Sequence, residues 1–471
     1  MTNIRAPLVA AFNEAVRYRE SLGDAGYQPR RSYHEMREAF REPTPEEPQD
    51  GGAVIRELAQ RAEPGLMTMA GPRFFGWVLG SSHPVGVAAD WMTSAWGQNA
   101  GYHMTTPSAA AVEEVAASWL LDILDLPREA SVGFTTGATV ANFVGLSAAR
   151  GAVLRKVGWD PDIQGLFSAP EIHVFIGDEA HTSVFSALQY CGLGRDRVIR
   201  IPTDDHGRML ADALKSEVSS RNGPKIIVAQ AGQINTGAFD PFSDIIAIGR
   251  ASGAWVHVDC AFGVWARAAP SKRHLTKALD GADSWVMDGH KWLQLPFDSG
   301  FVFVREVDAH RRAMTTTASY LPGQAKGDRI PSQLVPELSR RARGFAVWAM
   351  IKTLGRQGIA EMIEHHCRIA RQMAERLATE PDVRVVNQVD LNQFVVEFGP
   401  LDASVEERDR LAEAVIERVQ REDACLVAGA RWKGRWVMRV SVISAATDER
   451  AGEQSAAAII SAWRTVQARE E

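Results

Sequence analysis

The sequence predicts an α/β protein built on a mostly parallel β-sheet that is covered by helices. Between residues 110 and 310, helix-like stretches alternate with short apolar runs. Such alternation favours a parallel sheet, because parallel strands need a crossover connection that is usually a helix. The length of 471 residues and the hydrophobic share of 45% allow two or three domains with a large buried core.

Composition and charge narrow the class of partner. The net charge is -6 with acidic and basic residues interspersed, which gives no basic run that would attract nucleic acid or an anionic membrane. No apolar run approaches the roughly 18 residues of a membrane span, and the N-terminal apolar stretch is too short for a signal peptide. The cysteines form no CxxC pair, which favours a reducing compartment. We expect a soluble cytoplasmic protein with a small-molecule partner and no metal site.

The N-terminal residues predict a helix and then a linker. Apolar residues recur at helical spacing within residues 8–22, which is typical of an amphipathic helix. The stretch REPTPEEPQD (41–50) contains three prolines and several acidic residues, so we interpret it as a linker. We assign residues 1–70 to an N-terminal helical segment.

The central part carries the predicted sheet, and we assign residues 71–343 to a large domain. Ligands of parallel α/β sheets bind at the carboxyl ends of the strands, so chemistry is expected just after each strand. The predicted strands are EIHVFIG (171–177), RVIRIP (197–202), KIIVAQAG (225–232), AWVHVD (254–259) and FVFVR (301–305).

The C-terminal part has a different pattern, and we assign residues 344–471 to a small α+β domain. Residues 339–378 predict one long helix, or two helices joined at Gly355 to Gly358. A strand-like stretch, a helix, a second strand-like stretch and a last helix follow at 384–399, 402–422, 434–444 and 449–470.

Lys291 lies between two predicted strands in the stretch ADSWVMDGHKWLQLPFDSGF (282–301). The apolar runs Ser284 to Met287 and Gly300 to Val304 place it at a strand end or in the following turn. Burial favours the neutral amine of a lysine, and such an amine forms imines with carbonyls, including the aldehyde of pyridoxal phosphate (PLP). The alternative is an ordinary surface lysine.

Two other strand-end stretches could hold a phosphate and a flat ring. GFTTGATVANFVGLSAAR (133–150) puts glycine and small hydroxyl residues before a helix, where backbone N–H groups bind phosphate; a plain helix cap is the alternative. GxxxxGK[ST] is absent, so a nucleotide site is disfavoured. His181 follows the strand HVFIG and could stack on an aromatic ring or be structural.

Asp259 ends the apolar strand WVHVD, where an acid is costly unless it is paired. A protonated pyridine nitrogen is the partner that a PLP site supplies, because that proton makes the ring an electron sink. A helix N-cap or a core ion pair is the alternative. The loop AQAGQINTGAFDP (229–241) is a further strand end, rich in amide side chains.

In this order the motifs resemble the group II, fold-type-I PLP-dependent amino-acid decarboxylases, relatives of aromatic-L-amino-acid decarboxylase. The resemblance runs from PRFFGWV (72–78) to RVSVIS (439–444), and HKWL with HVDCAFG upstream is its most specific part. It implies a PLP-dependent transferase-like fold with a mostly parallel seven-stranded sheet, a homodimer, and PLP as the cofactor.

The resemblance also implies roles for individual residues. Lys291 binds PLP as an imine, Asp259 pairs with the pyridine nitrogen, and His181 stacks on the ring; these three are the expected catalytic residues. The remaining cofactor-binding residues contact the phosphate or the ring, and they are Ala138, Thr139, Ala261 and His290.

The sequence departs from the family pattern near the phosphate. Val140 stands where an acidic residue is usual, and Asp288 stands where close relatives often have Asn. An acid beside a phosphate dianion repels it unless the acid turns away or binds a donor, so Asp288 is kept out of the expected site.

Two more departures concern the loops. The strand-end loop reads GQIN, whose Gln233 and Asn235, with the preceding Gln230, could bind cofactor or substrate or form a satisfied turn. The loop 323–343 lacks the tyrosine that serves relatives as proton donor, and Tyr320 is the nearest phenol.

These features predict decarboxylation of an L-amino acid to the amine and CO2. The aromatic residues Phe74, Phe75 and Trp77 favour an aromatic substrate, although they could equally belong to the core. The alternatives are another PLP reaction on the same scaffold (aldehyde-forming oxidative deamination, aminotransfer or carbon–carbon lysis) and a non-catalytic homologue.

Overall fold

The structure is a computed structural model that describes residues 4–315 and 329–468. The chain forms two compact units. The large unit comprises the described residues of Val78–Arg371 together with Val386–Val395, and the small unit comprises the residues through Trp77, Gln372–Val385 and the residues from Val396 onward. The three consecutive segments that we assigned from the sequence stay a prediction. The small compact unit combines N-terminal and C-terminal residues.

The large unit is built on a seven-stranded sheet with the strand order β1-β7-β6-β5-β4-β2-β3. Strand β7 is antiparallel to both β1 and β6, and the other neighbours are parallel. The predicted mostly parallel α/β fold is therefore confirmed. Its strands are β1 (Ser131–Thr135), β2 (His173–Gly177), β3 (Ile199–Ile201), β4 (Lys225–Gln230), β5 (Trp255–Asp259), β6 (Ser284–Asp288) and β7 (Gly300–Val304).

Helices of the large unit precede β1, lie between the strands from β1 to β5, and follow β7. They are α4 (Pro84–Trp96), α5 (Pro107–Ile123), α6 (Ala138–Arg155), α7 (Pro161–Gln164), α8 (Thr182–Tyr190), α9 (Ala211–Ser219), α10 (Phe242–Ser252) and α11 (Val307–Met314). Short 3-10 turns at Gly263–Ala268, Arg273–Thr276, Leu279–Gly281 and Pro331–Gln333 complete the connections.

Helices cover both faces of this sheet. Successive side chains of a strand point to opposite faces. In β5, His257 lies against Gly145 of α6, where an added Cβ would be 2.7 Å from the His257 ring. The neighbouring Val256 lies against Gly249 of α10, where an added Cβ would be 2.5 Å from the valine side chain. α6 and α10 therefore pack on opposite faces, and the α6 face also receives Asp259.

The carboxyl ends of three adjacent strands lie at one edge of the sheet. Gln230 of β4 is in register with Asp259 of β5, which is in register with Val286 of β6. The residues that follow these strands therefore meet at this edge, where sequence reasoning expects the site.

The small unit contains N-terminal helices, a four-stranded sheet of order β10-β11-β9-β8, and two C-terminal helices. The predicted N-terminal helix spans α1 (Arg5–Ser21), and a capping box between Ser32 and Glu35 begins the second helix. The other elements are α2 (Tyr33–Phe40), α3 (Gly51–Ala62), a 3-10 turn at Glu63–Gly65, β8 (Val383–Val385), β9 (Gln393–Phe398), α13 (Val405–Arg421), β10 (Ala428–Trp432), β11 (Arg435–Ser441) and α14 (Glu449–Gln467).

Helix α12 (Gly344–Leu377) consists of two helical stretches, which is the second of the two arrangements expected from the sequence. Gly355 has φ 62°, which lies in the left-handed region that favours glycine, so two helical stretches join there.

Two strands were missed by sequence reasoning. β1 was taken as a loop before a helix, and β10 has no apolar alternation. Across residues 4–315 and 329–468, the helices are too short or too polar to cross a membrane.

Candidate active site

Lys291 lies in the turn that follows β6, as the flanking apolar runs predict. Its Nζ is 3.0 Å from Asp288 Oδ2, and the side chains are only 12% and 6% exposed. The Phe262 ring centroid lies 5.8 Å from the same Nζ, a distance at which an aromatic face attracts a cation. The lysine is therefore held by an anion and an aromatic ring near the carboxyl edge of the sheet.

Asp288 links this lysine to the start of α6. Its Oδ1 accepts the Ala138 N–H at 2.6 Å, and His290 Nε2 lies 3.5 Å from the same oxygen. Burial raises the pKa of the Asp288 carboxyl, but the charges of Lys291 and His290 and the hydrogen bonds from Lys291 and Ala138 together hold that pKa below its usual value. Sequence reasoning left Asp288 out of the site, whereas in the structure it binds two donors there.

The loop before α6 lies against the start of β7. A Cβ added to Gly300 would be 2.5 Å from Gly137 Cα, and a Cβ on Gly137 would be 3.2 Å from Asp288 Oδ1. The first turn of α6 thus opens directly onto the lysine, and its free N–H groups suit an anion. Ala138 is buried and Thr139 is exposed.

Asp259 ends β5 and is buried on the α6 face. Its Oδ1 accepts the Ala261 N–H at 3.2 Å, and its Oδ2 accepts from Asn142 Nδ2 at 3.4 Å. Burial raises the pKa of the Asp259 carboxyl, and the positive charges of His181 and Lys291 oppose that rise. A buried carboxylate such as that of Asp259 is stabilised most strongly by a cationic partner.

The two expected site histidines occupy different positions. His181 is the N-cap of α8, and its Nδ1 accepts the Ser183 N–H at 3.2 Å. His290 packs with its ring centroid 4.4 Å from that of Phe297, and its Nδ1 accepts the Ser299 N–H at 3.3 Å. Burial lowers the pKa of His290. Direct contacts therefore join Lys291, Asp288, Ala138 and His290. The Asp288 N–H also donates to the Ala261 carbonyl at 2.8 Å, which links this set to Asp259. His181 interacts with Asp259 through its charge.

The other proposed ligands have local roles in the structure. Gln233 Oε1 accepts the N–H groups of Asn235 at 2.6 Å and Thr236 at 2.9 Å, which is the satisfied turn. Phe74 and Phe75 are 1% and 0% exposed, as core residues are.

Sequence reasoning missed Asn142 and His257, which lie behind Asp259. The available signal was a polar residue inside an apolar helix and another inside an apolar strand, since a buried polar side chain requires a partner.

The residues at this edge fit PLP. Lys291 supplies an amine, Asp259 supplies a buried carboxylate, and the α6 N-terminus supplies donors for a phosphate. Ser299 Oγ, which is buried next to His290, has no hydrogen-bond partner within the described residues and could serve a ligand. A parallel α/β sheet with this set of groups at its strand ends defines a PLP-dependent enzyme of the α/β class.

Comparison with known proteins identifies the family. The profile described as the pyridoxal-dependent decarboxylase conserved domain matches residues 34–398, more than three quarters of the chain. The chain belongs to this family, and it is accordingly a PLP-dependent carboxy-lyase.

Individual relatives cover most of the chain. An aromatic-L-amino-acid decarboxylase of Bacillus atrophaeus is 25% identical over 420 residues, covering 88% of this chain and 85% of that protein. A phenylacetaldehyde synthase of Arabidopsis thaliana is 22% identical over 439 residues, covering 90% and 86%. The crystal structure of Oryza sativa TDC with PLP and tryptamine has a TM-score of 0.91 at 23% identity and covers 98% of both chains.

Proposed function

We propose that this enzyme decarboxylates an L-amino acid, preferably one with an aromatic side chain, to the amine and CO2. The observation that carries the proposal is the buried Lys291 amine at a strand end, 3.0 Å from Asp288, whose other oxygen accepts from the α6 N-terminus. The relatives named as aromatic-L-amino-acid and tryptophan decarboxylases support the choice of substrate class.

In the proposed reaction, three residues act on the reacting atoms. Lys291 Nζ would hold PLP through its aldehyde group and would move protons at the substrate α carbon. Asp259 would hold a proton on the pyridine nitrogen, and His181 would pack against the ring. Bound PLP supplies an electron sink for the pair of electrons left when CO2 departs.

The remaining residues hold the cofactor. The Ala138 N–H, which Asp288 Oδ1 accepts in this structure, and the Thr139 N–H and hydroxyl would hold the phosphate. His290 lies beside the phosphate, and Ala261 packs under the ring.

The central experiment is a panel of L-amino acids incubated with the PLP-loaded protein, with CO2 and product measured. Lys291→Ala should abolish the visible absorption of covalently bound PLP and reduce turnover by several orders of magnitude. It should leave the fold intact, because it removes an amine rather than core volume. Lys277→Ala, at an exposed lysine, is the matched control and should behave as wild type. Wild-type absorption and turnover in Lys291→Ala would refute the proposal.

The roles of Asp259 and His181 predict graded losses. Asp259→Ala should reduce kcat at least a hundredfold, because an unprotonated pyridine is a poor electron sink. His181→Ala should weaken PLP binding and lower kcat less. Near-normal activity in Asp259→Ala, or unchanged PLP affinity in His181→Ala, would contradict the assigned role.

Aldehyde formation is the second candidate function. Residues 323–343 contain neither tyrosine nor histidine, so the usual donor of a proton to the substrate carbon is absent from this loop. Tyr320 and the rest of 316–328 lie outside the described residues. Amine, aldehyde, ammonia and hydrogen peroxide should be quantified per CO2 for wild type and Tyr320→Phe. One amine per CO2 from both proteins would eliminate aldehyde formation and a donor role for Tyr320.

We further propose a cytoplasmic homodimer. Helix α1 exposes large apolar side chains, among them Leu8 (61%) and Phe12 (54%), and this surface needs a partner to cover it. Light scattering of the active protein should give twice the monomer mass of 51.6 kDa. Leu8→Glu should shift the mass toward that of the monomer, whereas a monomeric active wild type would reject the dimer.

A further inference from the structure

A line of buried polar side chains lies behind Asp259. Asn142 Oδ1 is 2.8 Å from His257 Nε2, and His257 Nδ1 is 2.7 Å from Ser284 Oγ. Ser284 Oγ in turn accepts from Trp255 Nε1 at 2.8 Å. Asn142, His257 and Ser284 are 0% exposed and Trp255 is 2% exposed, so water does not compete for these hydrogen bonds.

The sheet and α6 together build this line. Trp255, His257 and Asp259 alternate along β5, so all three side chains point to the α6 face. Ser284 of β6 is in register with His257. Gly145 leaves the space that the His257 ring occupies, because a Cβ there would be 2.7 Å from Cε1.

The hydrogen bonds in this line have one direction. An indole N–H is a donor only, so Ser284 Oγ accepts from Trp255, and its own O–H can donate to His257 Nδ1. The proton of the neutral ring then resides on Nε2 and is donated to Asn142 Oδ1. This leaves Asn142 Nδ2 to donate to Asp259 Oδ2, the oxygen it faces at 3.4 Å.

The opposite direction is disfavoured at the Asp259 end. A proton on His257 Nδ1 would require Asn142 to turn its amide and place Oδ1 against the Asp259 carboxylate. Protonation of both ring nitrogens is also disfavoured, because burial lowers the pKa of His257 to about 3.

We propose that Trp255, Ser284, His257 and Asn142 form a directional hydrogen-bond relay that orients the Asp259 carboxylate and keeps it ionised. These four are positioning residues. The inference rests on the proposed pairing of Asp259 with the pyridine nitrogen. Burial favours the neutral form of the Asp259 carboxyl, and the relay explains how this carboxyl can keep its charge.

Ser284→Ala tests the relay at a residue that does not touch Asp259. Loss of a hydrogen bond in a chain that ends on a charged group should lower kcat about tenfold and weaken PLP binding severalfold. KM for the amino acid should change less than twofold, since Ser284 is separated from Asp259 by two other side chains.

Ser147→Ala is the matched control. Ser147 is a buried serine of α6 whose Oγ lies 3.4 Å from Cys191 Sγ, so the same atom is lost outside the relay. His257→Gln, which retains one donor and one acceptor, should keep more activity than His257→Leu. Equal kcat and PLP affinity in Ser284→Ala and Ser147→Ala would overturn the relay.

A second readout needs no cofactor. In PLP-free protein labelled with ¹⁵N-histidine, the His257 ring, assigned through its loss in His257→Gln, should be neutral with its proton on Nε2 from about pH 5 to 8. Ser284→Ala should produce a mixture of tautomers, and a proton on Nδ1 in wild type would overturn the relay. If no amino acid is turned over, the proposed function fails, while the ring tautomer and PLP affinity still decide the relay.

Discussion

The Asp288 carboxylate contacts three groups that a phosphate and a cofactor would also contact. It accepts from Ala138 N–H at 2.6 Å, pairs with Lys291 at 3.0 Å, and lies 3.5 Å from His290. These three favourable partners explain how a buried acid is tolerated beside the α6 N-terminus. At the proposed phosphate site, a phosphate would have to compete with this carboxylate for the same helix N-terminus.

This competition predicts tighter PLP binding in Asp288→Asn. The amide is a weaker acceptor than the carboxylate and does not repel the phosphate, so the Kd for PLP should fall about three- to tenfold. Asp298→Asn is the matched control, because it removes the same charge from a more exposed carboxylate that pairs with Arg343 instead. Fluorescence titration measures both values, and weaker PLP binding in Asp288→Asn would contradict the competition.

Among the secondary-structure elements, contacts between strand ends and the α6 loop shape the site. The backbones at Gly137 and Gly300 approach so closely that a Cβ on Gly300 would be 2.5 Å from Gly137 Cα. Glycine at position 300 is therefore required by space rather than by backbone conformation. The contact brings the start of β7 and the N-terminus of α6 to the lysine turn.

Gly300→Ala should separate these two elements. The backbone shift should lower the free energy of unfolding by about 1–3 kcal/mol and weaken PLP binding. Gly358→Ala is the matched control in α12, where the added Cβ would meet Leu354 Cβ at 3.5 Å, an ordinary contact. That change should raise the free energy of unfolding by up to about 1 kcal/mol. Denaturant unfolding of both variants measures the effects, and equal stability would exclude the backbone clash.

The periodicity of the sequence predicted most elements but not all. Strands β2 to β7 and helices α1, α13 and α14 were predicted, because apolar runs and amphipathic spacing are properties of neighbouring residues. β1 and β10 were missed because each depends on pairing with its neighbour in the sheet, β7 and β11 respectively, rather than on its own pattern.

Two buried neutral histidines make the stability of the whole molecule depend on pH. Burial lowers the pKa of His257 to about 3 and that of His310 to about 4. Both values lie below the unfolded value near 6.5, so the unfolded chain binds more protons as the pH falls. The stabilisation is complete above about pH 6.5 and is lost progressively toward the folded pKa. Asp240, whose pKa burial raises to about 6, acts in the opposite direction.

A variant isolates the contribution of His310. Between pH 7 and pH 5, each histidine should lower the free energy of unfolding by about 2 kcal/mol. His310→Gln removes one of these groups, so the loss between the two pH values should be about 2 kcal/mol smaller than in wild type. Asp240 and the other titrating groups are present in both proteins, so their contributions cancel when the loss in the variant is subtracted from the loss in wild type. Denaturant unfolding at both pH values provides the measurement, and identical losses would show that His310 is not buried in its neutral form.

The sequence by itself determined the α/β class and the positions of strands β2 to β7, because these depend on the identity and spacing of neighbouring residues; it also predicted a role for Lys291. The tertiary structure decided which polar atoms meet. Ala138 and Asp288 are 150 positions apart, and Asn142 and Asp259 are 117 apart. Whether such pairs form depends on which elements are neighbours in the fold and on close backbone approach at glycine, and hydrophobic periodicity specifies neither. The partners of Asp288 and the direction of the relay behind Asp259 therefore emerged only from the fold.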